Sequence, residues 1–538
     1  MTDMFYRTED IKSEDVLSFF VPTEDDRRIV DALKSRSPVV LVGSRGVGKS
    51  FLLRVAEHEV LAEQTATDKT IPIYVSFTKG SLVHTSDPLQ FHHWMLARLC
   101  ARIMRTFQQL GFLDPSLAEF SIIAGSRPVD PVNPASSMEA LTKRFEDSWK
   151  NHDDSIPIDA LPSVDLLKEA VEDLVKRFAL SRLAIFFDEV AHIFRPDQQR
   201  QFFTLFRDLR SPYITCNAAV YPGVTSYGEA FQPTHDATFI QLDRDVLANE
   251  YLEHMRAIVE KQADARSIAA ISRQQQNFAA LAYAANGNPR LLLKTWARVQ
   301  ELKTRDVNEL IREYYRTDIW GEHSTLVERY EGHRALIDWG RNFIESSVLP
   351  ELSNRNAVWR NAGGKQSCFF WVHRDAPAEV REALRILAYT GIVSEKTAGV
   401  KGGRSEIGTR YAVSLGGLLA QEASPASAAE ELVRNITVRR WVEYGKSHEQ
   451  FQKTMEVSAA LQKSDALADL QRQLDKPIDV LDLSDWQLSK LRELSLTNVR
   501  SVLNATEADL QKAYYVGEVR SRQMKNAAIA AVLEYLSG

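Results

Sequence analysis

Gly43 to Ser50, GSRGVGKS, has the spacing G-x-x-x-x-G-K-S, and the four residues before it, Val39 to Val42, are all apolar. At average residue frequencies the pattern arises by chance on the order of 0.01 times in a chain of this length. Its residue types state a chemistry. Backbone N–H groups from Gly46 to Lys49, at the start of a helix, would cradle a β-phosphate where the helix dipole favours negative charge. Lys49 would reach the β- and γ-phosphates and the Ser50 hydroxyl would hold Mg²⁺. The phosphate-binding set on this reading is Gly43, Ser44, Arg45, Gly46, Val47, Gly48, Lys49, Ser50 and Phe51. A second constellation lies downstream, where the apolar run from Leu183 to Phe187 closes on Asp188 and Glu189. Beside a phosphate loop, Asp188 is expected to share the Mg²⁺ shell with Ser50, and Glu189 to orient and deprotonate an attacking water.

These groups need a scaffold. Val39–Val42 reads as a buried strand feeding the loop, and Ser50 to Ala56 as the helix leaving it. Further strands are expected at Ile71–Phe77, Leu183–Glu189, Tyr213–Tyr221 and Thr238–Leu242, with helices at Pro88–Leu110, Val164–Phe178 and Pro196–Leu209 between them. His92 and His93 are adjacent, so they cannot share a helix face as ligands at i, i+4 spacing could, and both read as structural. Between 111 and 165, six prolines and one helical stretch near Met138–Trp149 suggest an insertion over the core. Residues 246–317 are helical and hold Gly287-Asn-Pro-Arg290 ahead of an amphipathic helix. Pro289 suits a first turn, and Arg290 beside it would point its permanently charged fork toward a phosphate.

Phosphate loop, Asp-Glu strand, a further strand, and a helical lid carrying an arginine resemble, in that order, the AAA+ ATPases. The resemblance is to the origin-recognition and initiator-like group, especially its bacterial relatives of uncharacterised or antiphage-associated role. It covers roughly residues 15–320. It implies ATP and Mg²⁺ as cofactors, and Glu189, Lys49 and Arg290 as the catalytic set. It also implies an adenine lid just before the first strand, for which Phe20 and Val21 are candidates, as they are for core positions. A polar γ-phosphate sensor would sit near the end of the Tyr213–Tyr221 strand, with Thr225 or Asn217 in the role. One departure stands out. Ring-forming AAA+ proteins supply an arginine finger from the stretch before the last core strand, yet Ser211 to Asp243 contains no arginine. Arg207 and Arg210, on the preceding helix, are substitutes or solvated surface residues.

The C-terminal half has a different pattern. From Gly332 it runs helix, helix, helix, then Gly391–Glu395, a glycine-rich loop, and Tyr411–Leu415, the order of a winged helix. Across the wing, Lys396, Lys401, Arg404 and Arg410 against Glu406 leave +3. Such a loop would contact phosphate backbone, with base reading left to a helix, though the same fold also mediates protein contacts. Ala423–Ala429 reads as a small-residue linker, followed by a helical segment from Glu430 to about Val457 and a polar linker ending near Pro477. The tail from Ile478 to Leu536 resembles the C-terminal domain of the bacterial RNA polymerase α subunit and the helix-hairpin-helix group. Its hairpin is Tyr515–Val519 with the lone Gly517, and Lys512, Arg520, Arg522 and Lys525 against Glu518 again leave +3. Backbone amides there could bind DNA phosphates, or the module could dock on protein.

The expected architecture is thus multidomain: an α/β AAA+ P-loop core over 1–245, a helical lid over 246–330, a winged helix over 331–422, a linker with a helical segment over 423–476, and a small all-α helix-hairpin-helix domain over 477–538. Composition fits this reading. The chain has 538 residues, 44% hydrophobic and 26% charged, too many for one core. The net charge of −6 excludes bulk polycationic attraction to nucleic acid, so duplex DNA would have to be met by local patches. No apolar run is long enough to span a membrane and the acidic N-terminus lacks a signal-peptide core, which points to the cytoplasm. Cys100, Cys216 and Cys368 have no disulfide or metal-site spacing. No nuclease, deaminase or protease constellation is present, so any effector is expected on another chain. The function read from these motifs is a nucleotide-gated DNA-binding switch, in prokaryotic defence or mobile-element maintenance. The rivals are a signalling NTPase that oligomerises and recruits protein partners, and a transcription regulator.

Overall fold

The computed structural model describes residues 4–79, 89–147, 160–190, 196–228, 230–329, 333–403, 406–451 and 474–537. Two compact units are formed: Met1–Arg244 with Glu253–Ala263 and Asn288–Arg290, and Asp245–Leu252 with Asp264–Gly287 and Leu291–Gly538. The stretch expected as one lid, 246–330, is therefore shared between them.

The first unit is built on five strands, β1 (Val39–Val42), β2 (Thr70–Ser76), β3 (Arg182–Asp188), β4 (Ile214–Val220) and β5 (Thr238–Gln241). They form one parallel sheet in the order β2-β3-β4-β1-β5. Every residue of β1, β3 and β4 is buried. That is why β1 and the Leu183–Phe187 stretch of β3 read as continuous apolar runs: a parallel sheet is covered on both faces. The helices of this unit are α1 (Glu24–Lys34), α2 (Lys49–Ala62), α3 (Gln90–Gln109), α4 (Ala118–Ile123), α5 (Ser136–Glu146), α6 (Val164–Arg177) and α7 (Pro196–Asp208). Thr23 starts α1 with a capping box shared with Asp26. Helix α2 follows the phosphate loop and packs Leu52, Leu53, Val55 and Ala56 into a core with α1 and the sheet. The proline-rich insertion contributes α4 and α5, which pack on α6 and α3 respectively; Trp149 lies outside the described residues.

The second unit contains a four-stranded sheet, β7-β8-β6-β9, from β6 (Phe369–His373), β7 (Val393–Lys401), β8 (Ile407–Val413) and β9 (Val442–Tyr444). Strand β6 runs antiparallel to β8 and parallel to β9. Three sequence expectations change here. The run FFWVH, inside a stretch read as helical, is β6, because a short apolar run has no periodicity that separates strand from helix and its aromatic residues favour the sheet. The loop expected from Lys396 to Arg410 is mostly the β7–β8 hairpin, with its turn near Gly402 and Gly403. Ala423–Ala429 is not a linker: Pro425–Asn435 is a helix that buries Ala426 and Ala429 and packs against the helix Gln275–Ala284. Its small residues permit close helix approach. The helix expected from Glu430 to Val457 therefore ends early and gives way to β9, with the residues beyond 451 outside the described set. The tail has its own core, in which Leu488, Leu491, Val499, Val502, Leu510, Met524 and Ala528 are buried.

The three cysteines are free and buried; burial pushes the Cys100 and Cys368 thiols up to about 12. Among the described residues, no helix is long and apolar enough to cross a membrane. His323, on the helix Ile319–Ser324, is fully buried beside Thr390, and burial pushes it down to about 4. The folded chain holds this ring neutral, so the unfolded chain takes up the extra proton between pH 6.5 and about 4. Stability is expected to fall as pH drops through that window, by up to about 3 kcal/mol. Urea midpoints at about pH 7 and about pH 4.5 test this, and His323→Gln should reduce the difference between them.

Candidate nucleotide site

The carboxyl ends of parallel strands are where open α/β sheets bind ligands, and the sequence motifs meet there. The phosphate loop leaves β1 after Val42, which is level with Val220 of β4. Next in the sheet, β3 ends on Asp188. Gly46 has φ +86° and Gly48, capping α2, has φ +105°. Lys49 is buried, and its Nζ donates to the carbonyl oxygens of Gly43 at 2.6 Å and Ser44 at 3.0 Å. Burial pushes its ammonium down to about 7; Asp188 and Glu189 oppose that shift, while Arg290 and Arg45 add to it.

Ser50 Oγ donates to Asp188 Oδ1 at 3.1 Å, so the hydroxyl and carboxylate expected to share Mg²⁺ are in contact. Hard oxygen donors of this kind fit a small divalent cation that keeps waters and takes phosphate oxygens as further ligands. Among the described residues, no group of three His, Cys, Asp or Glu side chains could hold a metal ion without such help. Asp188 also accepts from Tyr74 Oη at 2.5 Å and from the Glu189 backbone N–H at 3.0 Å. Glu189 has φ +60°, a left-handed conformation that costs a non-glycine residue energy and is common where a side chain must be aimed. Burial raises both carboxyls above their usual range, and the negative Glu189 adds to the shift of Asp188.

The adenine-lid candidates have structural partners. Phe20 packs against the α1–α2 core with its ring 6.2 Å from that of Phe51, and Arg27 sits 4.6 Å from the Phe20 ring centroid. The Val21 carbonyl lies 2.8 Å from His254 Nε2. Arg290 Nε donates to the Tyr6 carbonyl at 3.0 Å, and its Cβ would be 3.1 Å from a Cβ built on Gly46, so the residue stands at the loop. Asn217 does not sense the site: it is level with Val39 at the other end of the strands, where its side chain bonds the Val39 N–H and the Leu33 carbonyl. Thr225 donates to the Tyr221 carbonyl. Of the finger substitutes, Arg207 is held by Asp208 and the Ala230 carbonyl.

Four contributors were missing from the sequence reading. Tyr221, just past β4, puts its ring 4.0 Å from Lys49 Nζ and its hydroxyl 3.4 Å from Glu189 Oε2. It stands at the strand end where a polar sensor is expected, and its aromatic side chain gives no such signal in the sequence. Tyr74 bonds Asp188. Asn288, inside the Gly-Asn-Pro-Arg run, donates to the Arg45 carbonyl at 2.8 Å. Arg244 bonds the Val47 carbonyl and pairs with the buried Asp26 at 3.0 Å, tying the loop to α1. The loop is thus gripped from both flanks by side chains distant in sequence. A methyl group on Gly46 would meet Asn288 Oδ1 at 2.8 Å in a backbone conformation that disfavours it. Gly46→Ala is expected to weaken nucleotide binding at least about tenfold, measured by titration calorimetry.

The basic residues of the C-terminal half are more committed than their count suggested. Arg410 turns back onto the sheet, bonding the Val438 carbonyl and Thr397 beside the Phe369 ring. Lys525 donates to the carbonyls of Leu503 and Ala505, closing the end of the helix Val499–Asn504. Arg522 pairs with Asp375. These three do not present free charge to a phosphate backbone. Arg520 lies over the Trp486 ring and bonds the Tyr515 carbonyl, and Lys512 pairs with Asp509. A Cβ at Gly517 would touch nothing, and Lys396 and Lys401 lie along β7. Arg404 lies outside the described residues.

Fold and site together define a P-loop α/β core: a parallel five-stranded sheet flanked by helices, consistent with an AAA+ core. Residues 5–93, which include the phosphate loop, match the family described as ORC-CDC6-like, and this supports the initiator-like AAA+ group for that stretch. No curated protein matches the chain. Among solved structures, the chain is similar to the Walker-type ATPase of Pyrococcus abyssi, at 15% identity over 80% of this chain and 97% of that one, with a TM-score of 0.38. It is also similar to the Aeropyrum pernix Orc1 protein, solved in complex with DNA, at 16% identity over 78% and 97%, TM-score 0.30. A third is Cdc6p from Pyrobaculum aerophilum, at 14% identity over 79% and 99%, TM-score 0.30.

Proposed function

We propose that the chain is an initiator-like AAA+ ATPase that binds Mg–ATP and hydrolyses it slowly, with nucleotide occupancy controlling what the C-terminal half contacts. The observation that carries this reading is the convergence of Lys49, Ser50, Asp188 and Glu189 at the ends of β1 and β3, with Asn288 and Arg290 against the loop. Lys49 and the loop amides bind the phosphates. Ser50 and Asp188 would hold Mg²⁺, which would supply charge neutralisation on the phosphates. Glu189, aimed by its left-handed backbone and by Tyr221, takes the proton of the attacking water. Arg290 meets the γ-phosphate, and a change in the grip of Asn288 on the Arg45 carbonyl reports its loss.

Duplex DNA is the partner proposed for the C-terminal half, through the β7–β8 hairpin with Lys396 and Lys401 and through Lys512 and Arg520 in the tail. Prokaryotic defence or mobile-element maintenance is the proposed setting. The second reading, a signalling NTPase that recruits protein, is favoured by the internal commitments of Arg410, Arg522 and Lys525 and by the exposed Tyr514, Tyr515 and Val519. Duplex binding measured against salt, with ATP, ADP and no nucleotide, tests the first. Affinity should fall steeply with salt and change with nucleotide; an ATP-driven oligomer that ignores DNA would support the second.

A further inference from the structure

A cavity of about 660 Å³ lies in the first unit between β2, α3 and the insertion helix α5. Its size is that of a small-molecule site. Six cations line it, Arg54, Lys79, Arg98, Arg102, Arg105 and Lys143, against three carboxylates. Glu146 pairs with Arg98 and Lys79, Glu139 pairs with Arg105, and Arg54 pairs with Glu57 just outside the lining. Among the described residues, no carboxylate forms an ion pair with Arg102 or Lys143. The excess of positive charge is built, not incidental. Arg98, Arg102 and Arg105 stand at i, i+4 and i+7 on α3, one face spanning about 10 Å of helix. Arg98 Nε is fixed on the Ser76 carbonyl at 2.6 Å and Arg102 Nε on the Tyr74 carbonyl at 2.9 Å, which anchors both guanidinium groups at the rim of β2. Burial pushes the Arg102 guanidinium down, and Arg54, Arg105 and Arg98 push the same way against the pull of Glu57. Like charges held together in a partly desolvated pocket are stabilised by an anion that bridges them, and guanidinium forks suit phosphate oxygens. One wall is shared with the nucleotide site. Arg54 lies 3.5 Å from the centroid of the Tyr74 ring, whose hydroxyl donates to Asp188.

We propose that this cavity binds a small ligand carrying two or more phosphate groups, held by Arg98, Arg102 and Arg105, and that its occupancy is felt at Asp188 through Arg54 and Tyr74. The second half rests on the nucleotide reading above; the first does not. The spacing of the arginines along α3 exceeds the width of one phosphate, which is why the ligand carries at least two.

The test is calorimetric titration of the full chain, saturated with Mg and a non-hydrolysable ATP analogue, using inorganic tripolyphosphate and adenosine 3′,5′-bisphosphate as probes. The tighter of the two identifies an inorganic or a nucleotide source. Binding is expected at one site, unchanged by Lys49→Ala and weakened at least about tenfold by Arg102→Gln. Lys143→Glu, at an exposed position, should weaken it as well and guards against misfolding of the first variant. Failure of both probes to bind below about 1 mM, or equal binding to wild type and both variants, overturns the site. For the linkage, the occupied cavity should shift the Mg²⁺ concentration giving half-maximal ATP turnover, and Tyr74→Phe should remove that shift. A shift that survives in Tyr74→Phe, or no shift at all, overturns the coupling. If Lys49→Ala leaves ATP binding intact, the nucleotide reading fails while the cavity result stands.

Discussion

With Glu189 replaced by Gln, the chain is expected to bind Mg–ATP as the wild type does and to lose turnover by about a hundredfold or more. General-base contributions are typically of this size, and the geometry separates the two effects. Glu189 reaches the Tyr221 hydroxyl with its side chain and Asp188 through its own backbone, whereas it is Lys49 that lies on the loop. Glutamine is nearly isosteric and keeps an oxygen for the Tyr221 hydroxyl, so the loss should fall on proton transfer alone. Single-turnover hydrolysis beside equilibrium binding of labelled ATP checks it. Equal losses in both would mean that Glu189 holds the site together instead.

Lys49→Ala should have the opposite signature. Two phosphates lose a charge-assisted partner, and affinity is expected to fall about a hundredfold. Folding should not suffer. Burial holds the Lys49 ammonium at about 7, below its ordinary value, so over the neutral range keeping that charge inside destabilises the folded chain. Thermal melting without nucleotide should therefore be unchanged or slightly higher in the variant, while the rise in Tm on adding Mg–ATP disappears. A variant that melts early with or without ATP would contradict this.

What could be read from sequence follows from how local each feature is. The phosphate loop is a contiguous spacing, β1 is an uninterrupted apolar run and β3 carries one from Leu183 to Phe187, so they were legible. Tyr221 and Tyr74 were not, because their role comes from strands that are neighbours only in the folded sheet. Asn288 and Arg244 grip a loop some two hundred residues away. The charge counts in the C-terminal half misled for the same reason: the Arg522 partner, Asp375, lies 147 residues back, and Lys525 is spent on backbone carbonyls. A net charge summed along a segment ignores partners outside it. The helix Pro425–Asn435 was missed because small residues read as flexible, whereas in contact with Gln275–Ala284 their size is what allows the packing.

The two carbonyls that accept from Lys49 bear on how fast the site can empty. A buried ammonium stripped of its phosphates would ordinarily be stranded, and that cost would hold a spent nucleotide in place. Here the oxygens of Gly43 and Ser44 are within hydrogen-bond reach, so the lysine can hand its donors from ligand to main chain as the ligand leaves. The loop thereby carries its own substitute for the departing phosphates. On the proposed reading, ADP release would need no dedicated exchange protein, and the lifetime of the ATP-bound form would be set by the Glu189 step.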